Sequence, residues 1–139
     1  AVVQAAYATV IDGLVEYVGA AVEAAAGAGR LAAYIRSLVA YLTEHPERAR
    51  MIIEAMTGES GVTDTPGSPI RQRTVADLVE AAVAAGDYRS DTGPRQVAVI
   101  VNGALDAIVS ERLTDAAFDA AGAAEQLIAM VDRALRADR

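Results

Sequence analysis

The sequence predicts an all-α domain of six helices whose last two form a four-helix-bundle interface with a second copy. Three observations lead there. Apolar residues make up 53% of the chain but aromatics only 4%, so the apolar count comes largely from Ala and Val, and alanine favours the helix. Apolar positions recur at i, i+3, i+4 and i+7 through most of the chain, the period of a helix with a buried face. Glycine and proline gather in a few short stretches that separate those patterns.

The first helix spans residues 2 to 26. Val3, Tyr7, Val10, Ile11, Leu14, Val18 and Val22 supply its apolar face, with Thr9, Asp12, Glu16, Gly19 and Glu23 opposite. Gly27-Ala28-Gly29 stops it, as glycine does at a helix C-terminus. A second helix runs from about Arg30 to Thr43, with Leu31, Tyr34, Ile35, Leu38, Tyr41 and Leu42 on one side. It ends at His45-Pro46, because the residue before proline is pushed out of the α region. Pro46 then suits the first turn of a short third helix through Met56, whose apolar residues are Met51, Ile52, Ala55 and Met56. Thr57 to Ser68 is dense in Gly, Thr, Ser and Pro and reads as the one real loop. Ser68 is a good N-cap and Pro69 a good first residue for the fourth helix. That helix reaches Ala85 with Val75, Leu78, Val79, Ala82 and Val83 inward, and Gly86 closes it. Residues 87 to 91 form a connector, and Thr92-Gly93-Pro94 opens the last pair of helices.

This final stretch, residues 90 to 139, reads as two long helices joined at a tight Leu113-Thr114-Asp115 corner. On the fifth helix Val97, Val99, Ile100, Val101, Leu105, Ile108 and Val109 spread over most of the circumference. On the sixth, Ala117, Ala120, Ala121, Ala124, Leu127, Ile128, Val131 and Leu135 form a stripe, with Phe118 and Met130 off it. In a chain this short, a helix that is apolar on more than one side points to a partner. The expected homodimer face combines Val101, Gly103, Leu105 and Ile108 with Ala117, Ala121, Ala124, Leu127, Ile128 and Val131. Its small residues would permit close helix approach.

At 139 residues the length suits one domain, residues 1 to 139. The net charge is −7 and all twelve basic residues are scattered arginines, so this stretch is not expected to hold nucleic acid itself. With no cysteine, disulfides and thiolate metal sites are excluded. No cationic leader precedes an apolar core, and the longest apolar run, Val97 to Val101, falls far short of the ~20 residues of a membrane span. A cytoplasmic protein without a membrane partner is the expectation. The chain begins at Ala1, already inside a helical pattern, so further sequence upstream is expected as well.

Enzyme chemistry is not expected. A Ser-His-Asp arrangement would have to use His45, the only histidine, and Gly58-Glu59-Ser60-Gly61 has the wrong spacing for a nucleophile elbow. His45, beside Pro46 at a helix junction, reads as an exposed or capping residue. The absence of lysine excludes a Walker A loop, and Gly27-Ala28-Gly29 lacks the preceding strand of a dinucleotide site. Carboxylates are dispersed on solvent-facing positions, so neither a metal nor another cofactor is expected.

A small-molecule pocket between helices fits the composition better. Tyr34 and Tyr41 share a face of the second helix with Leu38 between them, and Tyr7, Ile11 and Leu14 of the first helix can face them. Met51 and Met56 are adaptable lining, and Leu78 adds an inward residue of the fourth helix. Asn102 and Asp106 lie four apart on an otherwise apolar helix, where a buried amide or carboxylate needs hydrogen-bond partners that a ligand can supply. The competing readings are a Tyr stripe in the core and a wet or interfacial Asn-Asp pair. An apolar or aromatic effector is the mild expectation.

Several stretches resemble the C-terminal regulatory domain of the TetR family of bacterial transcriptional regulators. Tyr41 to Ile52, YLTEHPERARMI, is similar to that family's His-Pro-Glu helix junction. Leu78 to Pro94, LVEAAVAAGDYRSDTGP, resembles its helix, glycine stop and aromatic-basic-acidic turn. Val101 to Leu113, VNGALDAIVSERL, resembles its first dimer helix. The resemblance spans essentially the whole chain and rests mainly on the order and lengths of the elements. It implies a small-molecule-responsive repressor that dimerises through its last two helices. DNA binding would belong to a helix-turn-helix upstream, and none of that is present in this sequence. Ligand among the first five helices would move the first helix, to which the DNA-reading heads attach. The alternative is a stand-alone helical ligand-binding or assembly module that never touches DNA.

Overall fold

The computed structural model is all-helical, as composition and period predict. It describes the backbone of residues 2 to 57 and 67 to 138, and side chains at 8 to 53 and 69 to 138. Its six helices are α1 (Val2–Glu23), α2 (Ala28–Glu44), α3 (Pro46–Thr57), α4 (Gly67–Ala84), α5 (Pro94–Thr114) and α6 (Ala120–Leu135). Most of the loop expected at 57 to 68 lies outside the described residues.

The helix at the centre is α2, which packs against every other helix. Its sequence explains why. Between Leu31 and Leu42 the only charged residue is Arg36, and a helix apolar on nearly every side must be surrounded. Leu31, Tyr34, Ile35, Ser37, Leu38, Val39, Tyr41 and Leu42 are all buried, so the burial extends well beyond the single face that helical spacing suggests. Ser37 satisfies its buried hydroxyl by donating to the Tyr34 carbonyl of the preceding turn at 3.3 Å. Around this axis α4 and α5 pack side by side, α6 closes onto α2 and α5, and α1 rests on α2 and α3.

Two turns are built differently from the sequence reading. Helix α1 ends at Glu23, short of the expected residue 26, and Gly27 serves as the N-cap of α2 at φ 57°. The first turn of α2 is satisfied from a distance: Ala28 N donates to Asp87 Oδ2 at 2.8 Å. Asp87 itself follows a left-handed glycine stop. Gly86 has φ 82°, Gly86 N donates to Val83 O and Asp87 N to Ala82 O, which is the Schellman ending of α4. The chain's far end returns to this turn, with Arg89 N donating to Leu135 O and Ala137 N to Asp87 O, both at 2.8 Å. The junction between α5 and α6 is also longer than the expected tight corner. Asp115 Oδ1 accepts from Ala117 N, and Asp119 Oδ1 caps α6 through Gly122 N. These aspartates offer the backbone an alternative to helix, so Ala117 lies in the turn rather than on the α6 stripe.

Candidate functional site

The polar group most out of place in the interior is Asn102 on α5. The residue is 4% exposed, and neither its Nδ2 nor its Oδ1 finds a hydrogen-bond partner. Leaving a buried donor or acceptor unmade costs about 1–3 kcal/mol. A native helix that tolerates this twice on one side chain calls for a physical account. The surroundings supply a chemical context. Arg71, reaching over from α4, donates through Nη2 to the Asn102 carbonyl at 3.0 Å and to Asp106 Oδ1 at 2.8 Å. Its side chain is largely covered while that of Asp106 is 54% exposed, so the pair runs from the interior to the surface. Tyr34 of α2 completes the group. Burial raises its hydroxyl above the ordinary phenol value, the Arg71 charge opposes that rise, and the Asp106 charge adds to it. A guanidinium, a carboxylate and the Asn102 main-chain carbonyl thus join where α4 and α5 meet, with the Tyr34 phenol of α2 near enough to feel both charges. They include no nucleophile paired with a base.

Of the residues expected to line a ligand site, the structure brings together Tyr34, Asn102 and Asp106. Leu38 and Leu78 are buried core residues, while Ile11 and Leu14 are half-buried against the core. Met51 is half-buried, and the side chains of Tyr7 and Met56 lie outside the described residues. Tyr41 belongs to a second cluster. Its hydroxyl accepts from Arg48 Nη1 at 2.7 Å, and its ring lies 5.4 Å from that of Tyr17 and 4.8 Å from that of His45. Gly13 makes this approach possible, because a Cβ there would stand 2.9 Å from the Tyr41 hydroxyl. The residue that sequence reasoning missed is Arg71. A signal existed: Arg71, Val75, Leu78 and Ala82 share the i, i+4, i+7, i+11 spacing of one helix face, which places an arginine on the inward side of α4.

The expected self-association residues divide in three. Val101, Leu105, Ala124 and Leu127 are interior residues of the subunit, at most 8% exposed. Their surface is covered by the chain's own core. Ile108, Ile128 and Val131 are half-buried against that core. Gly103, Ala117 and Ala121 are exposed. The large apolar side chains that α5 and α6 show to solvent are instead Val99, Ile100 and Met130, at 50%, 66% and 65% exposure.

Two grooves open on the surface. One of about 300 Å³ runs between α2 and α6 over Val39, Ala40, Ala121 and Ala124, spanned by the Arg36–Glu125 ion pair at 2.7 Å. The other, about 170 Å³, lies where α2 and α5 end and α3 begins. Among the described residues no cluster of three or more His, Cys, Asp or Glu side chains is placed to hold a metal ion, and no helix is long and apolar enough to cross a membrane. Compared with family models, curated proteins and solved structures, the chain matches none.

Proposed function

We propose that this chain is the effector-binding and dimerising part of a TetR-like, small-molecule-responsive repressor. The observation that carries the reading is the buried Asn102 side-chain amide, whose nitrogen and oxygen have no hydrogen-bond partner, at a residue whose main-chain carbonyl accepts from Arg71. A ligand carbonyl, amide or carboxylate meeting this group would satisfy donors and acceptors that the protein leaves open. The apolar body of the effector would lie among the helices around it.

The arrangement of α2 supports a route for the signal. Tyr34 on α2 meets the α4–α5 cluster, and Tyr41, two turns further on, meets Gly13 and Tyr17 of α1. A ligand that favours one packing of α2 would thereby favour one placement of α1. In a regulator of this kind α1 leads to the DNA-reading heads, and their spacing sets the match to operator half-sites. Operator DNA is then contacted by those heads and not by this acidic stretch, and a second copy packs against the outer faces of α5 and α6.

Native mass spectrometry of the gently purified chain tests the reading. A dimer that retains a small molecule, with the extra mass lost in Asn102→Leu, is the expected result. A monomer with no added mass, and no small molecule that binds the wild type better than Asn102→Leu, would sink the proposal.

A further inference from the structure

The smaller groove has a chemistry of its own, separate from the Asn102 cluster. Leu42, Val109 and Leu113 supply apolar lining, and Arg50 of α3 and Arg112 of α5 stand on it. These two cations lie 62 positions apart in sequence, so only the fold brings them to one groove. Arg36, Arg71, Arg89 and Arg136 each have a carboxylate within 4.0 Å. Among the described residues Arg50 and Arg112 have none, as is true of Arg30, Arg48, Arg73, Arg95 and Arg133, but only Arg50 and Arg112 share this groove. The other side-chain donor on the groove, Thr43, donates to the Val39 carbonyl of its own helix at 2.8 Å. The donors left to face an occupant are therefore the guanidinium groups.

The helix ends make the electrostatics a question of magnitude. Carbonyl termini of α2 and α5 converge here and each carries roughly half a negative charge, while the start of α3 at Pro46 carries roughly half a positive one. Two full guanidinium charges exceed that balance, and no carboxylate lines the groove, although Glu44, Glu47, Glu111 and Asp115 flank it in a chain of net charge −7. The size of the groove sets the rest. A cavity of about 150 Å³ holds one benzene ring, and this groove measures about 170 Å³.

We infer that the groove between the ends of α2 and α5 and the start of α3 is a second ligand site, for a small monocyclic or short-chain carboxylate. Arg50 and Arg112 hold its carboxylate, and Leu42, Val109 and Leu113 contact its apolar body. Charge-assisted pairing of a planar carboxylate with the guanidinium fork supplies the selectivity over neutral molecules of the same shape.

Benzoate is the probe, with benzyl alcohol as the neutral isostere. The 139-residue chain is titrated with each while the arginine side-chain and backbone amide resonances are followed by NMR. Saturable benzoate shifts centred on Arg50, Arg112 and Leu113 are expected, with benzyl alcohol binding roughly tenfold or more weakly, since a hydrogen bond to a charged group contributes about 1.5–3 kcal/mol. Arg50→Gln and Arg112→Gln should each weaken benzoate by a similar factor with the helical circular dichroism unchanged. Arg95→Gln, exposed at the other end of α5, should leave it unchanged. Equal binding of benzyl alcohol, indifference to both groove substitutions, loss of binding in Arg95→Gln, or no saturable shift at all would each overturn the inference.

Discussion

Asn102 shows how a single side chain links stability to a site. Its amide is buried with both polar atoms unmade, which costs stability that an apolar side chain of the same shape would not. Asn102→Leu replaces those atoms with carbon of similar volume, and removing the desolvation cost should stabilise the chain by about 1–3 kcal/mol. Urea unfolding measures it, and a destabilised variant would show that the amide is satisfied in solution. Tyr34 and Tyr88 make a second prediction, through pH. Burial raises both hydroxyls above 10.0, the Asp132 and Asp87 charges raise Tyr88 further, and the Arg136 charge opposes it. The folded state therefore holds protons that the unfolded chain releases first. The stabilisation is complete below the unfolded phenol value and is lost as pH climbs through the folded one. Stability should fall as pH rises through and above 10.0, with a shallower slope in Tyr34→Phe and Tyr88→Phe. Identical slopes in wild type and variants would contradict the burial argument.

At the scale of the element, two glycines with left-handed backbones separate strain from packing. Gly86 has φ 82° with nothing within 4 Å of an added Cβ, so Gly86→Ala should cost only the conformational term, about 1 kcal/mol. Gly27 has φ 57°, and an added Cβ would stand 2.1 Å from Asp87 Oδ2, the group that caps α2. Gly27→Ala should therefore lose the cap as well and cost about 2–3 kcal/mol. Equal urea midpoints for the two variants would rule out the capping role of Asp87. Glycine at 27 was legible in the sequence as a helix boundary. What it bounds was not, because Asp87 lies 59 positions away in the chain.

At the scale of the whole molecule, the outer faces of α5 and α6 carry the test of self-association. Ile100→Glu combined with Met130→Glu changes two side chains about two-thirds exposed, so the subunit should keep its stability while the proposed dimer dissociates. Sedimentation velocity reads the outcome; a variant as strongly associated as the wild type would move the interface elsewhere. Leu127→Glu would instead place a charge in the core, where Leu127 is 8% exposed, and would report on folding rather than association.

Periodicity and punctuation were enough to determine the number of helices, their approximate spans and much of the apolar core, because both act over a few neighbouring residues. The run from Leu31 to Leu42, read from its spacing as apolar on one side, is in fact buried on most of its faces. Tertiary structure decided which helix is central, because that depends on how many neighbours share a face rather than on any one helix. It also took Val101, Leu105, Ala124 and Leu127 for the core and left Val99, Ile100 and Met130 outside, since a stripe in sequence does not say what will cover it. It brought Arg71 to the Asn102 carbonyl and set Arg50 and Arg112 on one groove, in each case from separate helices. Local patterns are set by backbone geometry within a turn or two, whereas sites are set by which elements meet, and only the assembled chain decides that.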